Sequence, residues 1–266
     1  MRYGNLDSAI SAYSEAIRID GRATEAYLGR GKAYLLKCLC SEDALRDYSE
    51  AIRLNAKLAA AYVGRGIVYG ERGAYDQAIE DLGIAIRLNP RLAEAYSNRG
   101  NAYRRKGEFD KAIADYTQPI RLDPNYAEGY YERAEVYAEK SDYDKALTDY
   151  TEAIRLNPKF AQAYDGRGRV FVAKGDVDKA VADWSEAIRL DPKDSWAYTS
   201  RGVAYLDKGE VHKAIMDYTQ AIQLNPKLAA AYYGRACAYE KKGDKSRAEE
   251  DFAQAKNLGY KPTQKP

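Results

Sequence analysis

Small and apolar residues recur along this chain at helical spacing, and residues 93–126 show the pattern clearly. Positions three, four and seven residues apart mark one helical face, here occupied by Ala95, Tyr96, Arg99, Gly100, Ala102 and Tyr103. Lys106-Gly107 predicts the end of that helix, because glycine readily adopts the left-handed conformation that terminates helices. A second set predicts another helix: Ala112, Ile113, Tyr116, Pro119 and Ile120. The pattern therefore predicts a helical hairpin, closed by Asp123-Pro124.

This hairpin pattern repeats through the chain as the motif Ala-Tyr-x-x-Arg-Gly with small variations. Its copies begin at Ala26, Ala61, Ala95, Gly129, Ala163, Ala197 and Ala231, with a first step of 35 residues and later steps of 34. A fixed period of this length predicts a stacked array in which each unit contacts its neighbours. We predict seven full units, at residues 24–58, 59–92, 93–126, 127–160, 161–194, 195–228 and 229–262.

The repeat resembles the tetratricopeptide repeat, whose signature places aromatic, small and proline residues at fixed offsets. In one copy those offsets read Tyr96, Arg99-Gly100, Tyr103, Ala112, Tyr116, Pro119 and Pro124. Tyrosine replaces the family's usual tryptophan, and arginine replaces the usual leucine before glycine. The resemblance implies an all-α fold, a right-handed superhelical solenoid of antiparallel helix hairpins. It also implies that the first helices line a concave groove, which holds extended peptides in related proteins.

The arginine before each glycine lies on the predicted packed face, where an unpaired charge is unfavourable. An aspartate follows each arginine by sixteen residues, or seventeen in the longer repeat. We predict seven ion pairs: Arg30–Asp47, Arg65–Asp81, Arg99–Asp115, Arg133–Asp149, Arg167–Asp183, Arg201–Asp217 and Arg235–Asp251. The opening helix has no such arginine before it and carries Ala12 at the aspartate position. An anion-binding ladder of arginines is the alternative interpretation.

The two ends of the array differ. Residues 1–23 match the second helix of an incomplete repeat, so we expect either a fragment of a longer array or another molecule that supplies the first helix. The final repeat carries Glu249 and Lys256 where interior repeats carry apolar residues, which predicts a C-terminal cap. Residues 263–266 are predicted to form a tail.

The predicted groove positions lie on the first helix of each hairpin, between the recurring framework residues. We call them gaps in the first-helix pattern, and their residues differ between copies. The candidates for peptide or partner binding are Asn98, Asn101, Arg104, Arg105, Tyr131, Glu135, Asp165, Arg169, Trp196 and Tyr233. Asparagine suits this role because its amide both donates and accepts hydrogen bonds. An apolar patch is predicted at positions that should be open: Leu28, Leu36, Val63 and Ile67. The alternative is that all of these are ordinary solvated helix residues.

Composition excludes several function classes. The chain has 42 Lys+Arg against 40 Asp+Glu, which predicts no basic surface for nucleic acid. No long apolar run or signal peptide is visible, so we expect no membrane partner and favour a cytoplasmic location. Three cysteines form no disulfide framework, and Cys38-Leu39-Cys40 marks an irregular turn with reactive thiols.

No catalytic arrangement stands out, since the chain has one histidine and no glycine-rich phosphate loop. We therefore predict a protein that is not an enzyme and needs no cofactor or metal. The predicted function is an interaction scaffold that binds peptide segments or partner proteins in its groove. Two alternatives stay open: a scaffold that forms homo-oligomers through its N-terminal end, and the targeting region of a larger enzyme.

Overall fold

Residues 4–261 are described by a computed structural model, and over this range the chain contains only α-helices joined by short turns. The chain divides into two compact units, the first ending at Val136 and the second beginning at Tyr137. The tail predicted at residues 263–266 lies outside the described residues. The expectation of an all-α protein built from helix hairpins is confirmed.

The first unit contains seven helices and most of an eighth. They are α1 (Gly4–Ile19), α2 (Thr24–Lys37), α3 (Glu42–Leu54), α4 (Ala59–Glu71), α5 (Tyr75–Leu88), α6 (Ala93–Arg105), α7 (Phe109–Leu122) and α8 (Ala127–Glu139). Helices α2 and α3, α4 and α5, and α6 and α7 pair as hairpins. Helix α4 also packs beside α2 and α6, so the first helices of these hairpins lie side by side.

The second unit takes up the end of α8 and seven further helices. They are α9 (Tyr143–Leu156), α10 (Ala161–Ala173), α11 (Val177–Leu190), α12 (Ser195–Asp207), α13 (Val211–Leu224), α14 (Ala229–Lys242) and α15 (Lys245–Asn257). Helices α10 and α11, α12 and α13, and α14 and α15 form its hairpins.

A tyrosine on the second helix fills the space that glycines leave on the first helices. Tyr48 of α3 packs against Gly31 in its own hairpin and against Gly64 in the next one. A methyl group on Gly64 would lie 2.2 Å from the Tyr48 ring, so only glycine permits this approach. Tyr218 packs in the same way against Gly202 and Gly234 in the second unit. One side chain therefore stabilises both a hairpin and its contact with the next hairpin.

The predicted arginine–aspartate pairs form an ordered series beside this aromatic layer. Arg99 donates from Nε and Nη2 to the two carboxylate oxygens of Asp115, both at 2.7 Å. The Asp115 side chain is 7% exposed and that of Arg99 is 22% exposed. The same two-point geometry occurs in five further pairs: Arg30–Asp47, Arg65–Asp81, Arg167–Asp183, Arg201–Asp217 and Arg235–Asp251. The pair Arg133–Asp149 stays a prediction.

Six of the seven arginines also bond through the third nitrogen, Nη1, to the helix that precedes their own hairpin. Arg201 donates from Nη1 to the hydroxyl of Ser185 at 3.0 Å, sixteen residues earlier. Equivalent bonds join Arg30 to Ser14, Arg65 to Ser49, Arg133 to Thr117, Arg167 to Thr151 and Arg235 to Thr219. Arg99 is the exception, because Gly83 occupies the hydroxyl position. The arginine therefore links three helices, and the sequence analysis did not foresee the third link.

We expect Asp115→Ala to lower the free energy of unfolding by about 3–5 kcal/mol, because Arg99 would stay charged and largely dehydrated without its partner. The double variant Arg99→Leu, Asp115→Ala should recover most of that loss, since it removes the unpaired charge. Urea denaturation measures both effects. Asp76→Ala is the control, because its pair with Lys106 is exposed and should contribute less than about 1 kcal/mol. Equal losses in Asp115→Ala and Asp76→Ala would contradict this account.

We also expect Gly83→Ser to stabilise the chain, because it restores the hydroxyl that other arginines use. A methyl group on Gly83 would lie 3.6 Å from Nη1 of Arg99, which is ordinary contact. Gly83→Ala is the matched control, since it adds a side chain without a hydrogen bond, although alanine has the higher helix propensity by about 0.5 kcal/mol. A hydroxyl link of about 1 kcal/mol should outweigh that difference, so the serine variant should be more stable than the alanine variant by about 0.5 kcal/mol in urea denaturation. A serine variant that is less stable than the alanine variant by the propensity difference would show that the hydroxyl link contributes nothing.

Candidate functional site

The surface formed by α2, α4 and α6 in the first unit carries two neighbouring pockets that share Ile67. These helices carry predicted groove residues and all four residues of the predicted apolar patch. One pocket is lined mainly by polar groups of α4 and α6, and the other mainly by apolar groups of α2 and α4. We call them the polar pocket and the apolar pocket.

The polar pocket has a volume of about 240 Å³. It brings together three predicted residues, Asn98, Asn101 and Arg105, and adds Glu71 and Tyr75, which the sequence analysis missed. Helix α4 contributes Gly66, Ile67 and Gly70, and α6 also contributes Ala102. No atom lies within 4 Å of the place where Gly70 would carry a side chain, so the pocket stays open at that point.

Hydrogen bonds within the framework set the orientation of both asparagine amides. Asn101 accepts a 2.8 Å bond at Oδ1 from the hydroxyl of Tyr116, a buried residue of α7. Asn98 donates from Nδ2 to the carbonyl oxygen of Glu94 at 2.8 Å. Asn101 therefore presents its NH₂ group as a donor, and Asn98 presents its carbonyl oxygen as an acceptor. A donor and an acceptor one helical turn apart suit the backbone of an extended peptide.

The apolar pocket has a volume of about 190 Å³. Its lining residues are Leu28, Lys32, Leu35, Tyr48, Ala60, Val63, Gly64, Ile67, Leu92 and Glu94. Three of the four residues predicted as an apolar patch line it, but Val63 is 5% exposed and belongs to the core. The prediction that Val63 is exposed in the groove is wrong. Helix α4 packs against both α2 and α6, so it buries more of its surface than its own hairpin contact requires. Leu36 is 54% exposed and lies outside this pocket's lining.

Arg104 and Glu135, both predicted for the groove, pair with each other. Nη2 of Arg104 lies 3.2 Å from Oε2 of Glu135, and the Glu135 side chain is 11% exposed. Tyr131, on the same helix as Glu135, is half-buried. The pair joins α6 to α8, which gives both residues a structural contribution.

A largely buried carboxylic acid lies beside that pair on α8. Ser97 of α6 bonds to Oε2 of Glu132 at 3.0 Å. Burial raises the pKa of Glu132 to about 7, against an ordinary value of 4.5, and the Ser97 bond and the charge of Arg104 offset only part of the rise. Glu132 occupies a gap in the first-helix pattern, so its position was visible in the sequence. Its burial was not, because it depends on neighbours 35 residues away.

The candidates in the second unit are more dispersed. Asp165 accepts a 2.9 Å bond from the indole nitrogen of Trp184 and a 3.2 Å bond from Arg169. Burial raises the pKa of Asp165, and the charge of Arg169 opposes that rise. Trp196 is 59% exposed at the start of α12. These residues line neither pocket of the first unit.

Tyr233 of α14 has neighbours that the sequence analysis did not assign to it. Its ring stacks on Tyr260 at a centroid distance of 4.4 Å and lies 5.4 Å from Phe252. Phe252 belongs to α15 and Tyr260 follows that helix. The ring is thus partly covered by the end of the described chain.

Family models match the chain through much of its length. A model described as TPR repeat matches residues 68–107, 100–141, 168–209 and 202–243. Models described as Tetratricopeptide repeat match residues 127–160 and 229–258. The chain belongs to the tetratricopeptide repeat family. Membership supports a general role as a protein-interaction scaffold. The tetratricopeptide repeat fold is typically non-catalytic.

Solved tetratricopeptide repeat structures resemble the chain. MamA, known from a crystal structure, shares 29% identity with the chain. The match covers 60% of this chain and 93% of the MamA chain, with a TM-score of 0.56. A tetratricopeptide repeat protein from Parabacteroides merdae ATCC 43184 shares 22% identity, and the match covers 90% of this chain and 94% of that protein with a TM-score of 0.69. YrrB, described as having an unusual peptide-binding site, shares 24% identity, and the match covers 68% of this chain and 93% of YrrB with a TM-score of 0.56. No curated protein sequence matches the chain significantly.

Two further findings concern residues 4–261. None of the helices in this range is both long and apolar enough to span a membrane. The same range holds no group of three or more His, Cys, Asp or Glu side chains arranged to bind a metal ion.

Glu132 predicts a pH dependence of stability. Between pH 4.5 and about 7, folded Glu132 holds a proton that the unfolded chain has lost, so stability falls as pH rises through this window. We expect Glu132→Gln to be more stable than the wild type by about 3 kcal/mol at high pH and equal to it at low pH. Urea denaturation above and below the window tests this.

Glu135→Gln is the matched control for Glu132→Gln on the same helix. It removes the charge that pairs with Arg104, so we expect it to destabilise the chain at high pH. If Glu132→Gln and the wild type show the same pH dependence, Glu132 is ionised at neutral pH and our interpretation is wrong.

Proposed function

We propose that this tetratricopeptide repeat chain binds an extended peptide segment of a partner protein on the surface formed by α2, α4 and α6. The observation that carries the proposal is the pairing of the polar pocket with the apolar pocket at Ile67. A peptide on this surface would find the oriented amides of Asn98 and Asn101 for its backbone in the polar pocket, and a recess for an apolar side chain in the apolar pocket. YrrB, similar in fold, is itself described as having a peptide-binding site.

The charges around the two pockets narrow the class of peptide. Arg105 is exposed and lines the polar pocket, where it suits a carboxylate or a backbone carbonyl of the peptide. Glu71 lies in the same pocket, while Lys32 and Glu94 line the apolar pocket. Neither pocket has a strong excess of one sign. We therefore propose a ligand with an apolar anchor residue and mixed polar neighbours, rather than a highly charged peptide.

The other roles considered from the sequence have less support. Homo-oligomers formed through the N-terminal end, and a targeting role within a larger enzyme, stay predictions because no contact among the described residues favours them. Sedimentation over a range of concentrations tests the first. A mass that is constant and equal to one chain would contradict self-assembly without affecting peptide binding.

Selection from a displayed library of random peptides tests the proposal. Peptides enriched by the wild type should bind Asn101→Ala, Arg105→Ala on the order of tenfold to a hundredfold more weakly, because two hydrogen-bonding groups are lost. Val203→Ala, Asp207→Ala is the matched control, since these residues occupy the same helical positions in α12. It should bind the peptides as the wild type does.

Two results would contradict the assignment of this surface. Wild-type affinity of the Asn101 and Arg105 double variant for the enriched peptides would place their site elsewhere. An equal loss of binding in the control variant of α12 would show that the loss is not specific to the surface of α2, α4 and α6. Failure to enrich any peptide would argue against peptide recognition altogether.

A further inference from the structure

The turn between α2 and α3 differs from the turns at corresponding positions in the other hairpins. Those turns use a residue with positive φ, 34 residues apart: Gly73, Gly107, Ser141, Gly175, Gly209 and Gly243. Here the chain has one extra residue, and Cys38 ends α2 in an extended conformation with φ −151° and ψ 115°. Cys38 and Cys40 are both exposed, and their sulfur atoms lie 3.3 Å apart. The irregular turn therefore holds two thiols in contact at the surface.

An arginine from the next hairpin holds this turn. Nε and Nη2 of Arg72 donate to the carbonyl oxygen of Cys40 at 3.0 and 2.8 Å, and Nη1 lies 2.7 Å from Glu42. Lys106 and Lys174 occupy the same position in other hairpins and bond carboxylates. Arg72 makes the equivalent carboxylate contact, with Glu42, and adds the two hydrogen bonds to the carbonyl oxygen of Cys40. It thereby fixes the Cys40 backbone and places a positive charge beside both thiols.

We propose that Cys38 and Cys40 are a redox-active dithiol that closes to a disulfide by exchange with a small-molecule disulfide such as oxidised glutathione. The sulfur atoms need to approach by about 1.3 Å, because a disulfide bond is about 2.0 Å long. Both side chains are exposed, and the sulfur atoms are already in contact, so this movement is local. The proposal is independent of peptide binding.

Cys38 is the attacking thiol. The hydrogen bond with Cys40 lowers the pKa of Cys38 and raises that of Cys40, and the charge of Arg72 lowers the pKa of Cys38 further. The thiolate is the nucleophile in disulfide exchange. The asymmetry therefore makes Cys38 react first and leaves Cys40 to resolve the mixed disulfide.

The exchange proceeds in two steps. The Cys38 thiolate attacks one sulfur of the small disulfide, forms a mixed disulfide and releases one thiolate, which takes up a proton from water. Cys40 then loses its proton to water and attacks Sγ of Cys38, which expels the second small thiolate. The two cysteines lose two electrons and two protons, and the small disulfide gains them as two thiols. The closed ring spans three residues, Cys38 to Cys40.

Cys237 is an internal control within the same chain. It is half-buried on α14, burial raises its pKa, and its described surroundings contain no second cysteine. It lacks both the partner thiol and the nearby arginine. Cys237 should therefore stay reduced under conditions that oxidise the Cys38–Cys40 pair.

The test is to equilibrate the full chain with mixtures of reduced and oxidised glutathione, alkylate the free thiols and measure peptide masses. We expect the peptide with Cys38 and Cys40 to lose the mass of two hydrogen atoms at ratios that leave Cys237 alkylated. Cys40→Ser should instead accumulate a glutathione adduct on Cys38, because nothing resolves the mixed disulfide. Cys38→Ser should form its adduct on Cys40 more slowly.

Arg72→Gln tests the contribution of the positive charge beside the thiols. It should slow the reaction of Cys38 with oxidised glutathione on the order of threefold, because the thiolate loses a neighbouring positive charge. Arg72→Lys keeps the charge but loses the two-donor contact with Cys40, so it should react faster than Arg72→Gln. Separate glutathione adducts on Cys38 and Cys40 in the wild type, or oxidation only at ratios that also modify Cys237, would overturn the proposal.

Discussion

The arginine–aspartate pair, observed inside six of the hairpins, is the interaction on which the rest of this structure depends. A guanidinium on the packed face is tolerated only when its donors are satisfied, and Arg201 satisfies them with Asp217 in its own hairpin and Ser185 in the preceding one. The same arginine lies near the rings of Tyr198 and Tyr205. One residue thus fixes the distance between two helices of a hairpin and the distance to the neighbouring hairpin.

This requirement explains why the framework varies so little while the surface varies freely. Asp115 could not change without leaving Arg99 unpaired, and Gly64 could not change without displacing Tyr48. Positions 101 and 105 differ between copies, since they carry Asn and Arg in α6 but Val and Asp in α12. Under the proposed function, these differences between copies are the positions that would determine which partner binds.

Sequence reasoning reached the hairpins and the ion pairs because each depends on residues at fixed separations within the period. It did not reach features that depend on which helices become neighbours. Val63 was expected to be open because its own helix pattern has a gap there, yet α2 and α6 cover both sides of α4. Glu132 lies at a gap in the first-helix pattern, but only its packing beside Ser97 of α6 largely buries its carboxyl and raises its pKa. The polar pocket likewise stays open where Gly70 has no side chain, and the pattern of a single repeat does not show that this position lines a pocket.

Framework and candidate site are not separate, because aromatic residues of the core carry polar atoms that reach the surface. The ring of Tyr116 packs against Gly100, and its hydroxyl holds the amide of Asn101 at the polar pocket. Trp184 packs against Gly168 and its indole nitrogen holds Asp165. A phenylalanine in place of Tyr116 would preserve the ring packing but release the amide of Asn101. The polar atom of a core aromatic residue therefore also orients a surface residue.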